Sequence, residues 1–180
     1  MAVKEFGGDQ RLDELRGQIA GAIASKGASV KPALMSGSGK KPKFVLACQP
    51  NDVQHYSFHD RVLDITTAVY GQRGYSPHET FRDNGGDLED SVDAAIDEID
   101  KSKGVLVHLT EKSKPLGSML ATVDCCQKPF LLFWPRDRES YVSSAVEEIE
   151  NSCRPIARFS YISRDGCLDK IRLELKKYFP

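Results

Sequence analysis

The hydrophobic pattern is clearest in residues 104–135, where two continuous apolar runs flank a helix-like segment. Val105–Thr110 is the first of these runs and Phe130–Trp134 is the second. Continuous rather than alternating apolar runs are typical of strands covered on both faces, as parallel strands are in α/β domains. Ligands of such sheets bind beyond the carboxyl ends of the strands. The loop Glu111–Ser118 is therefore where we first expect function.

Strand-like and helix-like segments alternate over the rest of the main region. Phe44–Cys48 predicts the first strand, and amphipathic spacing predicts helices over His59–Tyr70 and Asp87–Lys101. This alternation predicts a Rossmann-like or flavodoxin-like α/β fold, a three-layer sandwich with about five parallel strands. The other predicted elements are a short strand near Gly74–Ser76, a polar loop over Pro77–Gly86, helices over Tyr141–Ser152 and Cys167–Phe179, and a last strand over Ile156–Ile162.

The first 43 residues have a different composition from the main region, residues 44–180. Apolar positions recur at helical spacing over Arg11–Ser25, so we expect an amphipathic helix within residues 1–28. Residues 29–43 are rich in Gly, Ser, Lys and Pro and predict a linker. The Gly37–Lys40 stretch lacks the strand and the spacing of a phosphate-binding loop, so it does not change this interpretation.

Charge and composition exclude several classes of function. The net charge of −1 gives no electrostatic reason to expect nucleic acid as a partner, and no apolar run is long enough to suggest a membrane partner. The five cysteines are odd in number and show no C-x-x-C spacing. We therefore expect reduced thiols in an intracellular, cytoplasmic protein. The G-x-G-x-x-G and G-x-S-x-G motifs of dinucleotide-binding proteins and α/β-hydrolases are absent.

Two features are candidates for metal binding and acid–base chemistry. His55 and His59 form an H-x-x-x-H pair, but no Glu follows His55 and no third ligand is apparent, so we expect neither a metal nor a cofactor. In the acidic helix, Asp97 and Asp93 lie closest to the apolar side. Asp124 is the only carboxylate in the apolar segment that follows Gly117 and Ser118.

Gly117 and Ser118 are expected to begin the helix that follows the key strand. Free N–H groups at a helix N-terminus favour anions. A phosphate or a ribose hydroxyl is the ligand that such a position suggests, and the alternative is a capped helix without a ligand.

Several segments occur in the same order as in a known family of proteins. Phe44–Pro50 takes the place of an opening strand with a glycine-rich turn, Pro77–Glu79 looks like a Glu-His pair after a second strand, and Asp93–His108 looks like a helix followed by a Val-rich strand. On these features, residues 44–179 resemble the nucleoside 2-deoxyribosyltransferase superfamily, and within it the 2′-deoxynucleoside 5′-phosphate N-hydrolases. Further matching segments are Leu116-Gly117, Lys128-Pro129, Phe133–Arg136, Tyr141–Ala145 and Lys177–Phe179.

The resemblance implies a protein that binds a nucleoside or nucleoside monophosphate and cleaves or transfers its N-glycosidic bond. One carboxylate would meet the sugar carbon and an acid would assist the departing base, without a metal. The family's packing implies a homo-oligomer or a related subunit as partner. Mapped onto this sequence, the candidate catalytic residues are Asp97 and Asp124, and the candidate substrate-binding residues are Cys48, Gln49, His78, Glu79, Gly117, Ser118, Met119 and Ser144.

The sequence departs from the family at the positions of the family's catalytic residues. The nucleophilic glutamate falls on Ala121 or on Met119, depending on the end from which the central helix is counted, and the helical aspartate falls on Ile96, beside Asp97. A shifted carboxylate, Asp124 or Glu111, would restore a nucleophile. The alternative is a catalytically inactive relative that acts as a subunit or scaffold of a larger assembly. An unrelated flavodoxin-like signalling domain is a third interpretation.

Overall fold

A computed structural model describes residues 44–179 of the chain. They form one sheet of four parallel strands, paired in chain order. The helix predicted within residues 1–28 and the linker predicted over 29–43 lie outside the described residues. The strands are β1 (Phe44–Ala47), β2 (Gly104–His108), β3 (Phe130–Pro135) and β4 (Ala157–Tyr161); the α-helices are α1 (Tyr56–Tyr70), α2 (Pro77–Asp83), α3 (Leu88–Lys101), α4 (Lys114–Cys125), α5 (Glu139–Ser152) and α6 (Arg164–Tyr178).

The predicted α/β fold is confirmed, and its fifth strand is reduced to a single bridge. Tyr75 pairs in parallel with Val45, and the amide of Leu46 donates to the Tyr75 carbonyl at 2.8 Å. The strand cannot extend because Pro77 starts α2 two residues later. With this bridge included, the order is bridge, β1, β2, β3, β4, which is the flavodoxin-like arrangement.

Helices cover both faces of the sheet, which explains why its strands are continuous apolar runs. Alternate residues of each strand point to opposite faces. Leu46 and Leu106 point toward α1 and α6, and they pack there with Val62 and Ile171. The other face packs against α3, α4 and α5, and it includes Val45, Val107, Leu132, Ile99, Met119 and Val142.

Two helix starts differ from the sequence prediction. Residues 77–83 form α2 rather than part of a polar loop, because Pro77 suits the first turn of a helix and Glu79 adds a favourable negative charge there. α4 begins at Lys114, three residues before Gly117, and the Ser113 side chain caps it by accepting from the Leu116 amide. Among the described residues, no helix is long and apolar enough to cross a lipid bilayer.

Candidate functional site

A polar cavity of about 210 Å³ lies beyond the carboxyl ends of β1 and β2. The chain leaves β1 toward α1 on one face of the sheet and leaves β2 toward α4 on the other. A cavity between these two exits is therefore at the topological switch point, where doubly wound α/β proteins bind ligands. Its lining residues are all polar or charged: Gln49, Asn51, Asp52, Gln54, Thr110, Glu111 and Arg138.

Asp52 connects the two loops that form this cavity. Its Oδ2 atom accepts from the Thr110 hydroxyl at 3.0 Å and lies 2.8 Å from Nδ1 of His55. Burial acts to raise the pKa of Asp52, but the hydrogen bond and charge of His55 and the Thr110 hydroxyl outweigh it, so the pKa is lowered. The wall of the cavity thus holds an ionised carboxylate at neutral pH.

All four histidines of the chain meet directly behind this wall. The ring centroids of His59 and His108 are 5.1 Å apart, those of His55 and His108 are 5.2 Å apart, and those of His59 and His78 are 5.3 Å apart. Nε2 of His59 lies 2.9 Å from Nδ1 of His108, whose Nε2 lies 2.8 Å from the hydroxyl of Tyr161. The cluster therefore links α1, α2, β2 and β4.

Local folding rules bring the histidines together. His55 and His59 are four residues apart, so they lie on the same side of the turn that starts α1. His108 is two residues after Leu106 in β2 and thus faces the same layer. His78 lies in the first turn of α2, which the bridge at Tyr75 holds next to β1.

Burial keeps most of these rings neutral. It lowers the pKa of His59 and of His108 well below the usual value, and the neighbouring histidines, together with Arg164 at His108, act in the same direction. Burial also lowers the pKa of His78, although Asp60 acts in the opposite direction. Neutral imidazoles are the form that can accept a hydrogen bond or bind a metal.

Three of the buried side chains could hold a metal ion. Cys48, His59 and His78 each place one ligand atom within 4.8 Å of the other two. The Ser76 hydroxyl lies between two of them, 3.4 Å from Sγ of Cys48 and 2.7 Å from Nδ1 of His78. Burial raises the pKa of the Cys48 thiol to about 12. The sequence pattern pairs His55 with His59, whereas the structure groups His59 with Cys48 and His78. The additional candidate ligands therefore come from outside the H-x-x-x-H pattern, and His55 is not part of the group.

Ser76, His78 and Asp60 also have the order of a Ser-His-Asp triad. Nε2 of His78 lies 3.3 Å from Oδ1 of Asp60, and Nδ1 faces the serine hydroxyl. However, Ser76 and His78 both have no exposed surface. A substrate cannot reach this serine, so the arrangement is not that of an accessible nucleophile.

The structure brings together some of the residues predicted to bind substrate. Cys48 and His78 belong to the buried cluster, and Gln49 lines the cavity. Glu79 lies beside them and accepts from Arg73 at 3.0 Å. Ser144 is exposed on α5 and does not line the cavity.

Three predicted positions in α4 do not serve the cavity. Met119 is fully buried in the core on the α3–α5 face. Gly117 does not begin the helix as expected, and its amide donates to the Ser113 carbonyl at 3.0 Å. The Ser118 hydroxyl donates to the Lys114 carbonyl at 3.3 Å. The expected anion site at Gly117 and Ser118 is therefore not formed, because these residues lie inside the helix rather than at its start.

The two predicted catalytic aspartates lie toward the opposite edge of the sheet. α3 and α4 run back from the carboxyl edge, and Asp97 and Asp124 lie in the C-terminal half of α3 and in the last turn of α4, respectively. Asp97 is exposed and Asp124 is half-buried. The ends of the two helices are joined there by Lys128, whose Nζ donates to the Asp100 carbonyl at 2.8 Å. Neither aspartate lines the cavity, whereas Glu111, the other shifted carboxylate, does.

Sequence reasoning missed several residues of the site. His108 carries the one signal that was available, because it is a polar residue within an otherwise apolar strand. Asp52, Thr110, Arg138 and Tyr161 are ordinary polar residues of loops and strand ends in the sequence. Their roles depend on the meeting of loops that follow three different strands.

Comparison with known proteins adds no functional assignment. No protein-family model and no curated protein matches the sequence. Among solved structures, the chain is similar to an NADH:FMN oxidoreductase in its apo form, at 13% identity and a TM-score of 0.47. The similarity covers 73% of this chain and 87% of that one. At this level it says nothing about what this chain binds.

Proposed function

We propose that this chain binds a nucleoside or nucleoside monophosphate in the cavity beyond β1 and β2. The observation that carries the proposal is a cavity at the switch point of the sheet that is lined only by polar and charged residues, among them the cation Arg138. The order of sequence segments shared with the nucleoside 2-deoxyribosyltransferase superfamily supports the same class of ligand.

Arg138 is the residue in the cavity lining that suits a phosphate. A guanidinium offers two parallel N–H donors to phosphate oxygens. Arg138 ends the short 3₁₀ helix that follows β3, and its guanidinium lies 5.9 Å from the ring centre of Tyr141. Because this helix starts directly at the carboxyl end of a buried strand, it places the cation at the same edge as the β1 and β2 loops.

The amide side chains suit the uncharged parts of the ligand. Gln49 and Asn51 lie in the loop after β1, where the Gln49 amide donates to Oδ1 of Asn51 at 2.7 Å. Oε1 of Gln49 is buried and has no hydrogen-bond partner among the described residues. An amide oxygen can accept from a sugar hydroxyl or from an exocyclic amine of a base.

The size of the cavity limits what it encloses. Cavities that enclose whole ligands usually measure about 300–1,000 Å³, and this one measures about 210 Å³. We therefore assign it to one portion of the nucleotide, the sugar with its phosphate, and leave the base at the mouth.

Glycosidic cleavage would use the two carboxylates of the cavity, Asp52 and Glu111. Glycosidases use a pair of carboxylates, one at the sugar carbon and one that assists proton transfer. Asp52 is held by His55 and Thr110, so Glu111 is the carboxylate of the pair that has room to reach a sugar carbon. Glu111 is exposed at the start of the loop after β2.

The second candidate function is a non-catalytic relative that binds nucleotide or acts as a subunit of an assembly. The placement of Asp97 and Asp124 favours it, because neither helix that would carry the family's acids brings a carboxylate to the cavity. Binding would then be retained while glycosidic cleavage is absent.

Release of free base separates the two functions. Deoxynucleosides and their 5′-monophosphates are incubated with the protein and analysed by chromatography. If the chain is an enzyme, Glu111→Gln abolishes release, and the matched change Asp124→Asn leaves it unchanged. Absence of release from every substrate, in protein that still binds a monophosphate, would assign the chain to the non-catalytic class.

A further inference from the structure

We propose that Cys48, His59 and His78 form a buried binding site for a transition-metal ion, and that Zn²⁺ is the ion that fits it best. The site lies in the α1 and α6 layer, behind the wall of the polar cavity. This inference does not depend on nucleotide binding.

The donor atoms match the chemistry of zinc. One thiolate sulfur and two imidazole nitrogens are ligands that Zn²⁺ accepts readily, and three protein ligands leave a fourth position for water. All three side chains are at most 1% exposed. Hard cations such as Mg²⁺ and Ca²⁺ prefer oxygen ligands and are poor candidates for this set.

His59 has a nitrogen in position to bind a metal. Its Nε2 atom faces Nδ1 of His108, whereas its Nδ1 atom is buried without a hydrogen-bond partner among the described residues. A buried polar atom without a partner is costly, so it points to a missing ligand. When Nε2 donates to His108, and His108 in turn donates to Tyr161, Nδ1 of His59 carries a lone pair.

His78 has the surroundings of a metal ligand. Oδ1 of Asp60 lies 3.3 Å from Nε2 and can accept a hydrogen bond from its N–H, so that the lone pair of the neutral ring is on Nδ1. A metal-bound histidine often donates its other ring N–H, on the nitrogen that does not bind the metal, to a carboxylate. Without a metal, the Ser76 hydroxyl is hydrogen-bonded to Nδ1 of His78. The hydroxyl also lies close to Sγ of Cys48, so it can turn toward the sulfur when a metal binds Nδ1.

The distances require only a small adjustment. In a tetrahedral zinc site, bonds of about 2.0–2.3 Å place ligand atoms roughly 3.3–3.8 Å apart. Here one ligand atom from each of the three side chains lies within 4.8 Å of the other two. Side-chain rotations that bring each atom inward by roughly 1 Å complete the site.

Binding of the metal ion releases one proton from the site. The thiol of Cys48 must become a thiolate to bind, and its proton goes to solvent, whereas the two neutral imidazoles bind through lone pairs. No oxidant or reductant is needed. The bound ion and thiolate together carry one positive charge, which the carboxylate of Asp60 partly offsets.

Cobalt substitution tests the site through its ligands. Purified full-length protein, freed of metal with a chelator, is titrated with Zn²⁺ by calorimetry and with Co²⁺ by absorption spectroscopy. We expect one ion per chain and a thiolate-to-cobalt charge-transfer band. Absence of that band in the wild-type protein, or failure to bind zinc stoichiometrically, would overturn the proposal without any variant.

Matched variants assign the ligands. Cys48→Ser and His59→Gln are expected to weaken zinc binding at least about a hundredfold, and Asp60→Asn about tenfold. Cys167→Ser is the control, because Cys167 is another buried thiol in the same layer with a pKa raised by burial to about 12. Full affinity in both Cys48→Ser and His59→Gln would contradict the proposal, as would equal loss in Cys167→Ser. Circular dichroism of the metal-free variants checks that each is folded.

Discussion

Nε2 of His59 lies 2.9 Å from Nδ1 of His108, across the boundary between helix α1 and the central sheet. Both rings are only 1% exposed, so water does not reach the link. Two nitrogens at this distance can share one proton but not two, because two N–H groups would then point at each other. The core of this protein is therefore stable only while the two rings are not both charged.

This relationship predicts that acid destabilises the fold. The unfolded chain takes up a proton at each histidine near pH 6.5, whereas the lowered pKa values of His59 and His108 keep the folded rings neutral. The unfolded state then binds more protons, so the free energy of unfolding falls as the pH drops below about 6.5. Each neutral ring contributes a slope of about 1.4 kcal/mol per pH unit until its folded pKa is reached.

Urea unfolding between about pH 7.5 and pH 5 measures this slope. His108→Gln removes one ring that takes up a proton on unfolding. The slope of the unfolding free energy against pH should therefore decrease by about 1.4 kcal/mol per pH unit. A stability that does not change over this range would contradict the neutral, buried state of the cluster.

A pair of glycine substitutions tests the packing at the start of β2 and inside α4. A Cβ atom at Gly104 would lie 2.6 Å from one ring carbon of Phe179 and 3.1 Å from Cε1 of Phe44. Gly104→Ala should therefore lower the free energy of unfolding by about 1–3 kcal/mol. Gly117 lies inside α4, and a Cβ there meets no described atom within 4 Å. Gly117→Ala should thus stabilise the protein by up to about 1 kcal/mol.

Chemical unfolding of both variants provides the comparison. The opposite signs make each variant the control for the other. Stabilisation of Gly104→Ala would show that the Phe179 ring does not pack against this strand. Destabilisation of Gly117→Ala would show that the residue has a contact beyond those described.

The thiols should differ sharply in reactivity. Cys125 is exposed in the last turn of α4, whereas Cys48 and Cys167 are buried and have pKa values raised by burial to about 12. Because the thiolate is the reactive form, Cys125 should be alkylated first and the two buried thiols only after unfolding. Peptide mapping after brief iodoacetamide treatment measures the order. Labelling of Cys48 as fast as Cys125 in folded protein would contradict the burial described.

The general architecture could be predicted because its signals are local. The apolar runs of β2 and β3 show that both faces of the sheet are covered, and this pattern does not depend on distant contacts. The strand at Tyr75 was only partly predictable, since its length is limited by the helix that Pro77 starts. The same proline explains why a stretch of polar residues is a helix rather than a loop.

The site was harder to predict because it is assembled from distant segments. Cys48 and His78 are 30 positions apart, and His108 is 49 positions from His59, so no spacing rule reveals them. The family resemblance pointed to α3 and α4 for acids, yet those helices carry Asp97 and Asp124 toward the opposite edge of the sheet. Which end of a helix a residue occupies depends on where the helix begins and ends. Sequence patterns predict these boundaries least well.

Binding of a nucleotide at the switch point is the central claim, and calorimetric titration with deoxynucleoside 5′-monophosphates tests it most directly. We expect one ligand per chain, and binding weakened roughly 10- to 100-fold in Arg138→Ala because a charged hydrogen bond to phosphate is lost. Arg136→Ala is the matched control, since it removes an exposed arginine of the same 3₁₀ helix that does not line the cavity. The absence of binding by every monophosphate, or equal affinity in wild type and Arg138→Ala, would contradict the account.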